Sequence, residues 1–233
     1  MDPTGVDQQL SDVAGLADPV RRALYRHVAG RDVAVTRDEA ARAVGISRPL
    51  AAYHLDRLVD DGLLDARYER RTGRQGPGAG RPAKLYTRSA RQIELSLPAR
   101  DYALLAELLA GAVEADPCGA AQAVLNSAAR ALGEELGVEV ARRIISGDDR
   151  VQVIAAVRDV LADRGYEPFL EDDGALRLRN CPFDRIAAAH RQLVCGANLA
   201  LLEGLVDRIG GAEHLTPVLH PQPGRCCVEF RAA

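Results

Sequence analysis

Apolar positions recur along this chain with two different periods, and the changes of period mark its elements. From Asp18 to Ala29, the residues Val20, Ala23, Leu24 and Val28 fall at the three- and four-residue intervals of one helix face. Thr36, with Glu39 three residues on, has the form of a capping box and predicts a short helix through Val44 that Gly45 ends. Ser47 caps a third helix, with Pro49 tolerated in its first turn and Ala51, Leu55, Leu58 and Val59 as its buried stripe; Gly62 stops it. Leu63-Leu64-Asp65-Ala66-Arg67-Tyr68 then reads as a strand, and Lys84-Leu85-Tyr86-Thr87 can pair with it across a Gly/Pro/Arg-rich excursion. Three helices followed by a hairpin predict a winged helix-turn-helix.

After a linker at Arg88 to Pro98, helical spacing returns in two Ala/Leu-rich stretches, Asp101 to Ala115 and Gly119 to Leu136. A further helix from Asp149 to Gly165 precedes a hairpin built on the turn Asp172-Asp173-Gly174. A long helix from Asp184 toward Ile209 and strands near His214-Leu219 and Cys226-Arg231 complete an α+β unit. The predicted fold is mainly α with α+β. Residues 1–90 form the winged helix, 91–148 a linker and helical dimerisation region, and 149–233 a cysteine-containing sensing domain.

Composition sharpens this division. Hydrophobic residues make up 47% of 233 positions, enough for two modest cores. No stretch approaches the roughly 18 apolar residues of a membrane span, and Met1-Asp2-Pro3-Thr4 lacks the basic-then-apolar build of a signal peptide. A cytoplasmic chain without membrane contact is expected. The net charge of −3 conceals an asymmetry: Asp18 to Arg91 holds 16 Lys+Arg against 9 Asp+Glu, or +7, and the remainder holds 14 against 24, or −10. Only the first part is suited to meet a polyanion. Lys84 is the only lysine, so the placement of charge carries more information than the abundance of arginine.

In a helix-turn-helix the second helix of the pair enters the major groove, and its first exposed residues meet base edges. Ser47, Arg48, Pro49, Ala52 and Tyr53 occupy those places, with Arg57 in reach of phosphate. Arg48 suits a bidentate contact to guanine, worth about 1–3 kcal/mol of discrimination, or a phosphate contact. Arg70, Arg71, Arg74, Arg81 and Lys84 crowd around a glycine-rich tip that can lie along a narrow minor groove; the bland alternative is a solvated hairpin end. His54 reads as a packing or backbone-bonding residue. Double-stranded operator DNA is the expected partner. The helices of 101–136 suit either a homodimer interface matched to half-sites about 34 Å apart or an intramolecular bundle.

Taken in order, Asp18-Pro19-Val20-Arg21-Arg22, then Ser47 with His54-Leu55 and Leu58, then Gly62-Leu63-Leu64, resemble the ArsR-like winged-helix regulators across roughly the first 90 residues. The resemblance implies transcription regulation. Such regulators typically bind metals through cysteine or histidine motifs in this domain, whereas no cysteine here precedes Cys118.

Four of five cysteines lie behind it. Cys181 follows the hairpin, Cys195 lies in the long helix after 13 intervening residues, and Cys226-Cys227 open the last strand after 30 more intervening residues. In a reducing compartment such residues are poor candidates for structural disulfides, and thiols from a loop, a helix and a strand could hold iron–sulfur or zinc. Neighbours on a regular strand point to opposite faces, which makes one of Cys226 and Cys227 a spectator; Cys226 shares the apparent core side with Val228 and Phe230. The competing reading is that all are inert core residues. His190 reads as a surface residue and Cys118 as a small buried one. Asn180-Cys181-Pro182-Phe183, Leu193-Val194-Cys195-Gly196 with Asn198, and Pro223-Gly224-Arg225-Cys226-Cys227 resemble the C-terminal pattern of SufR-type regulators. That likeness implies an iron–sulfur cluster, of the four-iron type, on Cys181, Cys195 and one of Cys226 and Cys227, with zinc as the alternative metal. It further implies redox or cluster control of operator affinity. A regulator sensing a small organic effector, with structural cysteines, is the rival. The sequence has no C-x-x-C, P-loop, dinucleotide fingerprint or G-x-S-x-G, so no enzyme is expected.

Overall fold

The structure, a computed structural model, describes residues 10, 13–69, 82–93, 100–145 and 149–232. The chain divides into two compact units, Met1–Arg100 and Asp101–Ala233. Its fold is mainly α with two small antiparallel sheets.

In the first unit, helix α1 (Pro19–Ala29) opens where the Asp18 carboxylate accepts the Arg21 backbone N–H at 2.9 Å, and Pro19 supplies a ring already fixed for the first turn. Helix α2 (Arg37–Val44) begins with the expected capping box: Thr36 Oγ1 accepts from Glu39 N–H at 3.2 Å and Glu39 Oε2 accepts from Thr36 N–H at 2.8 Å. Gly45, at φ +72°, ends it in a left-handed conformation that glycine adopts without steric cost. Helix α3 (Arg48–Asp60) starts at Ser47, whose hydroxyl accepts from Leu50 N–H. Strands β2 (Leu64–Glu69) and β3 (Ala83–Arg88) pair antiparallel, and a two-residue strand β1 (Val35–Thr36) adds to β3 with Val35 opposite Tyr86. Leu24, Val28, Ala51, Leu55, Leu58, Leu64 and Tyr86 close the core. This is a winged helix with its third strand; β1 is too short to leave a periodic trace in the sequence.

The second unit joins helices α4 (Tyr102–Glu114), α5 (Ala120–Ala141), α6 (Arg150–Asp163), α7 (Asp184–Ala189) and α8 (Arg191–Arg208) to a sheet of β4 (Pro168–Leu170), β5 (Leu176–Leu178), β6 (Leu215–Leu219) and β7 (Val228–Ala232). The strand order is β4-β5-β7-β6, all neighbours antiparallel. Its core runs through Val157, Val160, Leu161, Leu176, Leu202, Leu205, Leu215, Val228 and Phe230. Helices α5 and α8 form the most extensive helix pair. A methyl group at Gly133 would overlap the Leu201 carbonyl, and one at Gly204 would overlap the Arg130 carbonyl, so the two backbones touch where the sequence places glycine. Arg130 is hydrogen-bonded to Glu203 and Asp207 across the same pair.

Three expectations need correction. The long helix from Asp184 is broken at His190, which has φ −121° and ψ +47°; its Nδ1 lies 2.8 Å from Glu114 Oε2, so this histidine joins α4 to the break instead of facing only solvent. Cys118 is exposed, with its thiol donating to Asp116 Oδ1 at 3.0 Å, because the loop before α5 turns it toward the carboxylate that caps that loop. Finally, β7 begins at Val228, so Cys226 and Cys227 precede the regular strand and its alternation does not govern them.

Candidate functional site

Helix α3 presents Pro49, Tyr53 and Arg57 at positions one helical turn apart, with Arg48 next to Pro49, all exposed, and Ala52 half-buried beside them. Ala51, Leu55 and Leu58 are buried on the opposite side, and that burial fixes which face looks outward. Ser47 is exposed too, although its hydroxyl oxygen is committed to the cap. Arg48 Nε lies 2.6 Å from Asp38 Oδ1 with both side chains more than half exposed. A surface pair of this kind is worth about 0–1 kcal/mol, so a phosphate or a guanine edge can replace the carboxylate. His54 is buried edge-on against Tyr53, with ring centroids 5.2 Å apart, and its Nδ1 has no hydrogen-bond partner among the described residues. It packs, as its position suggested.

Lys84 lies in β3, the strand in which its sequence position places it. Its ammonium lies 2.7 Å from Asp56 Oδ1, to which the Tyr86 hydroxyl also donates at 2.8 Å, so Lys84 braces β3 against α3. Partial burial works to raise the Asp56 carboxyl, but the bonds from Lys84 and Tyr86 outweigh it and hold the group below its ordinary value. Burial first, and then the bond to Asp56, keeps the Tyr86 phenol protonated well above the usual range. Arg37, exposed at the start of α2, adds positive potential at the same Asp56–Tyr86 pair, a contribution the sequence reading passed over. The wing residues Arg70, Arg71, Arg74 and Arg81 lie outside the described residues.

In the second unit, the four C-terminal cysteines meet in one core cluster. Cys181 arrives on the loop after β5, anchored where Asn180 Nδ2 donates to the Gly165 carbonyl at 2.6 Å. Cys195 lies in the second turn of α8, and Cys226 and Cys227 lead into β7, with Cys226 N–H donating to the Leu178 carbonyl at 3.0 Å. Cys195 and Cys227 are joined by a disulfide that ties α8 to the approach of β7. The Cys181 thiol hydrogen-bonds to the sulfur of Cys226. The expectation that these thiols stay unpaired is corrected for Cys195 and Cys227. The local reason is that the Pro223-Gly224 turn delivers both cysteines to the core before strand alternation begins.

A polar pair stands behind the sulfurs. Asn198, buried on α8, directs Nδ2 toward Cys226 Sγ at 3.4 Å, and its Oδ1 accepts the Tyr166 hydroxyl at 2.5 Å. Phe183 packs edge-on against Tyr166. The Cys181 hydrogen bond, helped by the backbone N–H of Val228 and by Asn198, lowers the Cys226 thiol to about 7 against the opposing effect of burial. The same bond, together with burial, pushes Cys181 up. Cys226 is therefore the acceptor of the group. As the side chains stand, no three Cys, His, Asp or Glu groups among the described residues surround a position for a metal ion. Neither Asn198 nor Tyr166 has a role legible in the sequence alone; the one signal is an asparagine a turn after Cys195 on an otherwise apolar helix.

A helix-turn-helix domain family model matches residues 16–67, which span α1, β1, α2, α3 and the first residues of β2. No curated protein and no solved structure matches the chain. No helix among the described residues is long and apolar enough to cross a membrane. With its capped helix pair and exposed basic face, the chain is a DNA-binding transcription regulator built on a helix-turn-helix domain.

Proposed function

We propose that this regulator binds double-stranded operator DNA as a homodimer, through α3 and the β2–β3 wing. In this reading the cysteines of its second unit hold an iron–sulfur cluster whose presence or redox state sets operator affinity. The observation that carries the sensing half is the convergence of Cys181, Cys195, Cys226 and Cys227 in one buried cluster. The donor set is chemically apt: four sulfurs, with no carboxylate or imidazole among the described residues hydrogen-bonded to any of the four, from the loop after β5, from α8 and from the approach to β7. Thiolate is the normal ligand of iron–sulfur clusters. Such a set also satisfies a closed tetrahedral zinc site, so metal analysis decides between the two.

Loading either metal requires thiol–disulfide exchange with a cellular dithiol, which gives up two electrons and two protons and becomes a disulfide as the Cys195–Cys227 bond opens to a pair of thiols. A disulfide oxidant reverses the exchange, is itself reduced to a dithiol and returns those two sulfurs to each other. When bound, the cluster supplies a centre that responds to oxidant or to iron supply. The chain's own part is to convert that response into a change at α8. Because α8 and α5 touch backbone to backbone at Gly133 and Gly204, displacement of the Cys195 turn is passed on rigidly. Helix α4 carries Tyr102, Leu104, Leu105, Leu108 and Leu109 in exposed positions, and α5 carries Val124 and Leu132. An exposed apolar patch of this kind with few charges suits a second copy of the chain, as a palindromic operator requires. A coupling of about 1–3 kcal/mol between thiol state and DNA would change operator affinity by about 5–150-fold.

The test is an anaerobic absorption spectrum with iron, sulfide and zinc analysis, followed by operator binding of the loaded, metal-free and Cys195→Ser proteins. Charge-transfer absorption with matching iron and sulfide, and affinities that differ between the forms, are expected. A colourless, metal-free protein that binds operator equally in every form contradicts the sensing role and favours the organic-effector reading.

A further inference from the structure

The Asn198 amide donates to the Cys226 sulfur at 3.4 Å, and the Cys181 thiol and the backbone N–H groups of Val228 and Cys227 also favour negative charge there. The two backbone groups follow from the chain path; Asn198 comes from a separate helix. An asparagine that is 2% exposed on an apolar helix face costs desolvation energy unless its amide is satisfied, and a leucine would fill the position without that cost. Nor is its orientation free. Tyr166, itself 3% exposed, has one hydroxyl hydrogen to give and gives it to Asn198 Oδ1 at 2.5 Å, which leaves Nδ2 to face Cys226 at 3.4 Å. The elements involved are separate: Tyr166 follows α6, Asn198 sits on α8 and Cys226 precedes β7. A chain of two hydrogen bonds thus crosses the core and ends on a sulfur.

We propose that Asn198, held in register by Tyr166, is a positioning residue for the Cys226 sulfur, fixing its direction and stabilising negative charge on it when it ligates a metal. This rests on the reading of the cysteines as a metal centre. Groups that orient ligands from behind a metal site govern its affinity and electronics, and hydrogen bonds to ligand sulfur are among the determinants of cluster potential. A purely structural asparagine would matter for folding and leave the bound metal's spectrum alone.

The experiment uses the full chain, reduced and anaerobic, with Co(II) as the probe and thiolate-to-cobalt charge-transfer absorption as the readout. Tyr166→Phe with Asn198→Leu removes both polar partners together, so no buried group is orphaned and the fold is retained. The double variant is expected to bind Co(II) about 10–100-fold more weakly than the unmodified protein and to shift its charge-transfer band. Tyr166→Phe alone leaves the amide present but unanchored, and it is expected to weaken binding by a smaller factor. A folded double variant with unchanged affinity and band overturns the proposal. If the double variant does not fold, an unchanged Tyr166→Phe protein overturns it instead. Failure of the unmodified protein, with all thiols reduced, to give any charge-transfer band is a different result: it removes the metal-centre reading itself and this inference with it.

Discussion

The Tyr86 hydroxyl donates to Asp56 Oδ1 at 2.8 Å, joining a wing strand to the helix expected to enter the groove. Lys84 completes the arrangement from the neighbouring turn of the strand, 2.7 Å from the same oxygen. The base of the wing and α3 are therefore bonded to each other through Asp56.

Tyr86→Phe keeps the ring in the core and deletes one bond to a charged acceptor, at an expected cost of about 1–2 kcal/mol in urea unfolding. Asp56 adds a pH signature. Its carboxyl ionises more readily in the folded chain than its ordinary value of 3.8, against the opposing effect of burial, because Lys84 and Tyr86 bond to it. Its contribution to stability is therefore complete above about pH 4 and is lost as the pH falls through the folded value. Asp56→Asn is expected to lower stability at neutral pH and to flatten the acid limb of the stability curve; an unchanged acid limb would show that Asp56 is not involved.

Gly133→Ala inserts a methyl group against the Leu201 carbonyl. Overpacking of this kind typically costs about 1–3 kcal/mol, and here the obstacle is backbone that cannot rotate away. A lowered urea midpoint is expected, along with loss of any difference in operator affinity between thiol states. Wild-type stability in this variant would mean that α5 and α8 are not in direct contact.

Unfolded without reductant, the protein is expected to offer three reactive thiols, Cys118, Cys181 and Cys226, and five after reduction. Peptide mapping should recover the link between Cys195 and Cys227. Five thiols in the unreduced, air-exposed sample would contradict the pairing.

Leu105→Glu together with Leu108→Glu puts two charges on the exposed face of α4 without touching the core. Sedimentation is expected to show the mass falling from twice to once the 25.0 kDa of the chain, with helical content unchanged. A variant that stays dimeric would move the interface elsewhere, and a monomeric unmodified protein would remove it.

Much of the first unit is written locally. Asp18, the Thr36–Glu39 box, Ser47 and the glycines at 45 and 62 each act within a few residues, and the structure places a helix end at every one. The same holds for the turn at Asp172-Asp173-Gly174. What escaped the sequence depends on contacts between distant segments. The break at His190 interrupts no hydrophobic period, and its stabilising partner, Glu114, is 76 residues away. The roles of Lys84 and Asp56 emerge only when β3 lies on α3. The cysteines are legible as a set, but the directions of Cys226 and Cys227 depend on where β7 begins, and strand alternation does not reach them. Asn198 and Tyr166 are 32 residues apart, and nothing in either residue's neighbourhood announces the other.

The most direct test of the account is the salt dependence of duplex binding by the full chain, with and without Arg48→Glu and Arg57→Glu. The logarithm of affinity for the DNA upstream of its own gene is expected to fall linearly with the logarithm of salt concentration, and each substitution should weaken binding and reduce the slope by about 1. A protein with no salt-sensitive affinity for any duplex, or one whose affinity ignores both charge reversals, would contradict the assignment of α3 as the DNA-reading helix.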